Sequence, residues 1–186
     1  MGMMAKALIA IANGTEDMEA VIVIDLLRRA NVAVTVAGES TLVTCARGVK
    51  MVPDTTIEEL ADDDTYDVVI LPGGGQGVDA LGANHALEHL VRRHHKAGKY
   101  IAAVCAAPVL LHEWKLLPAS AVVTAYPGAE SVLAPYTYVT DRVAVDGPFI
   151  TSRGPGTTIE FALEIIRRLV GETTAARVAG DIVMYE

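Results

Sequence analysis

Short apolar runs, each followed by a stretch with helical spacing, recur along this chain. "AKALIAIAN" precedes 16–30, "VAVTVAG" stands next, "YDVVILPG" precedes 84–97, and "YIAAVC" precedes 106–114. "AVVTAYP" and then "PFITSR" before 157–170 continue the series. A β-α-β rhythm of this kind predicts the α/β class, with a mostly parallel sheet covered by helices on both faces. Sites in such sheets lie at the carboxyl ends of the strands. Residues 40–56 alternate without a helical period and predict a small hairpin at one edge.

A chain of 186 residues predicts one domain over 1–186. Hydrophobic residues make up 52 % of it, yet no apolar run approaches the roughly 20 residues of a membrane span. The start, "MGMMAKALIAIANG", shows no cleavage-site pattern and reads as a first strand, so a cytoplasmic protein is expected. With 23 acids against 15 bases the net charge is -8, which repels nucleic acid and anionic lipid. The two cysteines lack C-x-x-C or zinc spacing, so free thiols in a reducing compartment are expected, with no metal.

One of those cysteines stands in "IAAVCAAPVL". Ile101–Val104 read as a strand buried on both faces, and Pro108 suits the first turn of the next helix. Cys105 is thereby placed at a strand-to-helix corner, the shape in which an enzyme exposes a nucleophile. A free cysteine is also a common small core residue, and the stretch alone leaves both readings open. A helix start and neighbouring N–H groups predict a thiol pKa lowered from ~8.5 into the ~3.5–7.5 range. Cys45, beside Arg47, is predicted to feel a weaker lowering from that charge.

Thr15 is the predicted N-cap of the helix over 16–30, with Glu16 and Asp17 suiting its positive end and needing no further role. Glu19 differs, because Ile22, Val23, Leu26 and Leu27 follow it at helical spacing, so it heads the apolar stripe. It reads either as a partly exposed acid at a helix end or as a desolvated carboxyl able to hold a proton at neutral pH. Glu19 and Cys105 each follow a strand, and in a parallel sheet both ends open on one edge.

Three glycine-bearing loops also follow strands: "ANGTED", "LPGGGQG" and "SRGPGT". They form one rim if their strands are neighbours. "GGGQG" matches neither a phosphate loop nor G-x-G-x-x-G and reads as a turn whose N–H groups face a cleft. Of the five histidines, His85 and His89 fall on a polar helix face, and His94 and His95 at its end, where cationic histidine is favoured. His112 lies two turns beyond Cys105, too far to act as its base. Trp114 reads as a packing residue.

Taken together, "ANGTEDMEAV", "CARGVK", "YDVVILPGGGQG", "IAAVCAAP" and "TSRGPGTTIEFAL" resemble the ThiJ/PfpI superfamily, in the branch holding the human Parkinson-associated protein deglycase and bacterial YajL. The resemblance runs from about residue 5 to the C-terminus. It implies a flavodoxin-like three-layer sandwich, a homodimer, no cofactor, and a cysteine on a nucleophile elbow. Cys105 resembles the reactive cysteine of the family, and Glu19 its protonated carboxylate that hydrogen-bonds the thiolate. Gly74 and Ala106 are similar to the positions whose N–H groups form the anion pocket. Cys45, a second redox thiol, falls with Arg47 and Arg153 around the dimer contact and the cleft rim. Tyr126 stands where the human relative has histidine, so the resemblance does not carry a Cys-His dyad to this chain. No histidine follows Cys105 as in the protease-like branch, and peptidase activity is not expected. The implied function is a cofactor-free glyoxalase or deglycase acting on methylglyoxal-type dicarbonyls and their early thiol or amine adducts. The alternative is a redox-sensing chaperone whose cysteine oxidises to sulfinate.

Overall fold

The computed structural model describes residues 3–184. Its strands are β1 (Lys6–Ile11), β2 (Ala33–Gly38), β3 (Val43–Thr44), β4 (Lys50–Met51), β5 (Thr55–Thr56), β6 (Val68–Leu71), β7 (Tyr100–Val104), β8 (Val122–Val123), β9 (Thr137–Tyr138), β10 (Val143–Asp146) and β11 (Phe149–Ser152). The helices are α1 (Asp17–Arg29), α2 (Gly75–Gly82), α3 (His85–Lys96), α4 (Pro108–Glu113), α5 (Glu130–Leu133), α6 (Thr158–Val170) and α7 (Glu172–Asp181). Seven strands form the main sheet in the order β10-β11-β7-β6-β1-β2-β5. All neighbours are parallel except β10 and β11.

Why these residues form a sheet covered on both faces is visible in β1. Leu8 and Ala10 point into the core beneath α2, α3, α4 and α5, whereas Ala7, Ile9 and Ile11 point into the core beneath α1, α6 and α7. Side chains alternate along a strand, so a strand apolar throughout is buried on both sides. Each fully buried Leu or Ile contributes roughly 1.5–3 kcal/mol of hydrophobic stabilisation. The predicted mixed α/β sandwich is the architecture found.

Register then places the loops. Ile9 lies opposite Ile70, Leu71 opposite Ala103, and Val104 opposite Ser152. The loops after β1, β6, β7 and β11 therefore emerge side by side from one sheet edge. They are the three glycine-bearing loops together with the Cys105 corner.

Four local expectations change. Glu16, not Thr15, is the N-cap of α1, and it makes no side-chain cap bond. The Thr15 hydroxyl instead accepts from the Ala12 N–H at 2.9 Å and closes the turn ahead of the helix. "AVVTAYP" does not enter the main sheet; β8 pairs with β9 in a separate two-stranded sheet. The β3–β4 hairpin is likewise its own antiparallel pair, and β5 makes the edge beyond β2. His94 is buried and not cationic, since Tyr66 N–H donates to its Nε2 at 3.0 Å while its Nδ1 faces the Leu90 carbonyl at 2.8 Å. Burial and the nearby Arg93 and Lys99 charges lower its pKa, outweighing the Leu90 bond.

Candidate active site

At the centre of that edge Cys105 occupies the left-handed backbone region, with φ of 65°. A non-glycine residue is held there only when its surroundings over-determine it. Here the Cys105 N–H donates to the Ser152 carbonyl at 3.0 Å, and the Tyr126 N–H donates to the Cys105 carbonyl at 2.8 Å. The Ala107 N–H closes the turn on Val104 at 3.1 Å, and Pro108 opens α4. The result is a sharp strand-turn-helix corner with the thiol half-buried. Trp114, at the far end of α4, is buried as a packing residue.

Glu19 reaches the same place from α1. The Glu16 N–H donates to the Gly73 carbonyl at 2.9 Å and ties the loop after β1 to the loop after β6. In the first turn of α1, the Glu19 carboxyl is wholly buried, and its Oε2 accepts from the Gly73 N–H at 2.6 Å. Oε1 is buried without a well-aligned hydrogen-bond partner. Gly73 is the residue between carboxyl and thiol: a Cβ there would stand 2.5 Å from Glu19 Oε2, 2.5 Å from Cys105 Cβ and 3.0 Å from Cys105 Sγ. The sequence points to Gly74 and not to Gly73. The signal was the run of three glycines, which both allows the close approach and supplies the N–H.

Burial pushes the Glu19 carboxyl up to about 7, against the lowering influence of the Gly73 N–H and Cys105. Cys105 does not show the simple lowering expected of a helix start. Burial, then the Glu19 charge and its hydrogen bond, push the thiol up to about 12, although the Gly74 and Ala106 N–H groups favour its thiolate. The helix that follows is only 6 residues long, so little dipole is available to offset burial. These two shifts describe one coupled pair. It releases one proton near neutrality and keeps the second, because two buried anions in contact repel strongly. The retained proton sits on sulfur with a carboxylate beside it, or on Glu19 with a thiolate facing the Gly74 and Ala106 donors.

Around this centre the other expected residues take different places. Tyr126 is 52 % exposed, and its ring lies over Gly154, whose Cβ would stand 3.4 Å from it. The Arg153 Nε donates to the Ala125 carbonyl at 3.1 Å, so Arg153 and Tyr126 border the corner together. Arg47 is not brought to Cys105 within the chain; it sits exposed on the turn between β3 and β4. There the Arg47 and Val49 N–H groups donate to Asp17 at 2.7 and 3.0 Å. Asp17 thus has a role beyond the helix dipole, as the clasp between α1 and the hairpin. Burial works to raise its pKa, but those two bonds and the Arg47 charge leave it lowered. Cys45 is buried, and desolvation with the Asp17 and Glu16 charges raises its thiol to about 11, the reverse of the lowering expected from Arg47.

His85 and His89 are exposed, and among the described residues no group of three or more His, Cys, Asp or Glu is arranged to hold a metal. No helix among them is long and apolar enough to cross a membrane.

A cysteine on a strained corner facing a buried carboxyl over a glycine-rich loop is the arrangement of a known class. The DJ-1/PfpI family profile matches residues 5–168, and the chain belongs to that family. It is 43 % identical to Protein dj-1beta of Drosophila melanogaster over 98 % of this chain and 100 % of that protein. The crystal structure of Drosophila melanogaster DJ-1beta superposes with a TM-score of 0.94, covering 99 % of this chain and 100 % of that one. The chain is also 35 % identical to the glutathione-independent glyoxalase DJR-1.2 of Caenorhabditis elegans, over 84 % of this chain and 83 % of that protein. Oxidized Toxoplasma gondii DJ-1 superposes with a TM-score of 0.91 at 35 % identity, covering 96 % of this chain and 98 % of that one.

Proposed function

We propose that this protein is a cofactor-independent glyoxalase and deglycase acting on methylglyoxal-type dicarbonyls and on their early thiol or amine adducts. The observation that carries the reading is the buried Glu19 carboxyl meeting the Cys105 thiol across Gly73. In the proposed reaction Glu19 takes the thiol proton and the Cys105 sulfur attacks the aldehyde carbon. The Gly74 and Ala106 N–H groups receive the oxygen as it becomes negative. Glu19 returns a proton to that oxygen, then removes the C1 hydrogen of the hemithioacetal as a proton and delivers it to C2, while the C1 hydroxyl proton passes to the C2 oxygen. The product is a lactoyl thioester on Cys105. Water hydrolyses it, so the balance is methylglyoxal plus water giving lactate, with the thiol restored. Amine and thiol adducts enter by displacement at their carbinol carbon. The C–N or C–S bond breaks as the Cys105 sulfur bonds to that carbon, Glu19 passes the thiol proton to the departing amine or thiol, and the same hemithioacetal results. The kinship with a named glyoxalase supports the reaction class.

The test is steady-state lactate production from methylglyoxal. Cys105→Ser is expected to remove it, and Tyr126→Phe, at a half-exposed rim position, to reduce it less. Full activity in Cys105→Ser would end the reading, and an equal loss in Tyr126→Phe would make the tyrosine an acid or base. A second reading, redox sensing by Cys105, is favoured by the oxidized form in which one relative was solved. It is selected if lactate stays at the buffer background while graded peroxide adds two oxygens to Cys105 before Cys45 changes. Oxidation of Cys45 first would contradict it, since that thiol is the more deeply buried.

We also infer a homodimer. Met18 and Val21 on α1, with Leu42, Val49 and Val52 on and beside the hairpin that Asp17 clasps to it, are exposed apolar side chains on neighbouring elements. A second copy covers them. A monomer mass by sedimentation at micromolar concentration would refute this.

A further inference from the structure

The site as built accounts for the thiol, its proton and the nascent oxyanion, but not for a groove that leaves it between α2 and α4. The groove has a volume of about 310 Å³ and starts at Gly75 and Ala106. These residues directly follow Gly74 and Cys105, and the Ala106 N–H faces the sulfur, so the groove starts beside the reacting corner. Its floor is apolar and narrow in side chains: Val78, Val109 and Leu110, with Gly82 admitting no Cβ without a contact of 2.9 Å to Leu110. At its rims stand Asp79 and Glu113. Both carboxylates are exposed, and neither makes an ion pair among the described residues.

Both helices begin near the thiol and run away from it. The Gly74 and Ala106 N–H groups face the sulfur at one end of the groove, and the two unpaired carboxylates lie toward the other. Asp79 is one turn past Gly75, about 6 Å along the axis, and Glu113 is about two turns past Ala106, on the order of 10 Å. Methylglyoxal is too small to span that distance. A chain that reacts at one end and carries an ammonium or guanidinium a lysine's length away fits it, its methylenes lying on Val78 and Val109.

We propose that this groove is a subsite for the cationic end of an adduct whose other end reacts at Cys105, and that Asp79 and Glu113 set the preference. The inference rests on Cys105 being the reacting atom and deepens the function proposed above. It selects amine adducts of lysine- or arginine-bearing chains over adducts carrying a carboxylate of the same length. Asp79 and Glu113 are specificity-determining residues that touch the carrier and not the reacting carbon.

Thiol labelling reads the groove without requiring turnover. Two methanethiosulfonate reagents with four-carbon chains, one ending in ammonium and one in sulfonate, are reacted with the full chain, and the Cys105 peptide is followed by mass spectrometry. The cationic reagent is expected to react ~10-fold faster, and the advantage to shrink as salt rises. Asp79→Asn with Glu113→Gln is expected to bring the ratio within about two-fold of unity, each single change giving an intermediate value. Asp62→Asn with Asp63→Asn, which removes the same charge from an exposed segment elsewhere, is expected to keep the wild-type ratio. Ratios are taken within each protein, so a uniform loss of reactivity does not affect them. An unchanged ratio in the groove variant, or a wild type that favours the sulfonate, would overturn the proposal. Absence of lactate production would overturn the glyoxalase reading while leaving this result standing.

Discussion

Glu19→Gln is expected to keep the fold and to reduce dicarbonyl turnover by ~10²-fold or more, the scale of a lost general acid–base group. The glutamine oxygen can still accept from the Gly73 N–H that now meets Glu19 at 2.6 Å, so the loop stays in place. What disappears is the group that takes the thiol proton and moves the C1 hydrogen. Activity within a few-fold of wild type would remove Glu19 from the reaction. The same variant carries a stability signature. The folded-state pKa of Glu19 is raised from 4.5 to about 7, so the stability contributed by its neutral form is complete below 4.5 and is lost as pH rises through 7. That span corresponds to about 3 kcal/mol. Relative to wild type, Glu19→Gln should therefore gain stability by about that amount between pH 4 and pH 8 in denaturant titrations. A difference that stays constant with pH would show that Glu19 is not desolvated.

Gly74→Ala is expected to destabilise by about 3 kcal/mol or more and to remove most activity. Gly74 has φ of 91°, where side chains are strained, and its Cβ would lie 2.2 Å from the Gly14 carbonyl oxygen and 2.6 Å from the Glu16 N. Both are backbone atoms of the loop that leads into α1. Relief of the clash must push the loop after β6 away from the loop after β1, carrying the Gly74 N–H off the sulfur. Gly180→Ala, in α7 with nothing within 4 Å of the added Cβ, is the matched control and should be neutral or slightly stabilising. Equal stability of the two variants in thermal unfolding would mean that the two loops are not locked together as described.

The parallel sheet was legible because β1, β6 and β7 are apolar at nearly every position, and both faces demand cover. Cys105 and Glu19 could be placed on one edge from strand order alone. The hidden parts have identifiable physical causes. Helix α2 begins in glycines, which carry no apolar period, so "GGGQG" read as a turn although Gly75 opens the helix. Strand β10 is a short antiparallel edge with two half-buried valines, a weak pattern between loops. Asp17 looked like an ordinary helix-dipole acid because its partners, the N–H groups of Arg47 and Val49, are backbone groups some thirty residues away. The raised thiol is hidden for a related reason. A sequence displays the helix start and the N–H donors, but not the burial that outweighs them. Nor does it reveal that the acid and the thiol meet across one glycine, which makes their protons a shared property.

That sharing is the centre of the account, and the pH profile of Cys105 alkylation by iodoacetamide measures it most directly. In the wild type the rate is expected to rise with an apparent pKa near 7, where the pair releases its first proton, and then to stay level to beyond pH 9. Internal transfer to Glu19 keeps a fixed fraction of thiolate over that range. In Glu19→Gln the break near 7 should vanish, leaving a rate that climbs only at higher pH as the thiol ionises unaided. Identical profiles for the two proteins, or a wild-type break at pH 9 or above, would contradict the shared proton and leave Cys105 as an ordinary buried thiol.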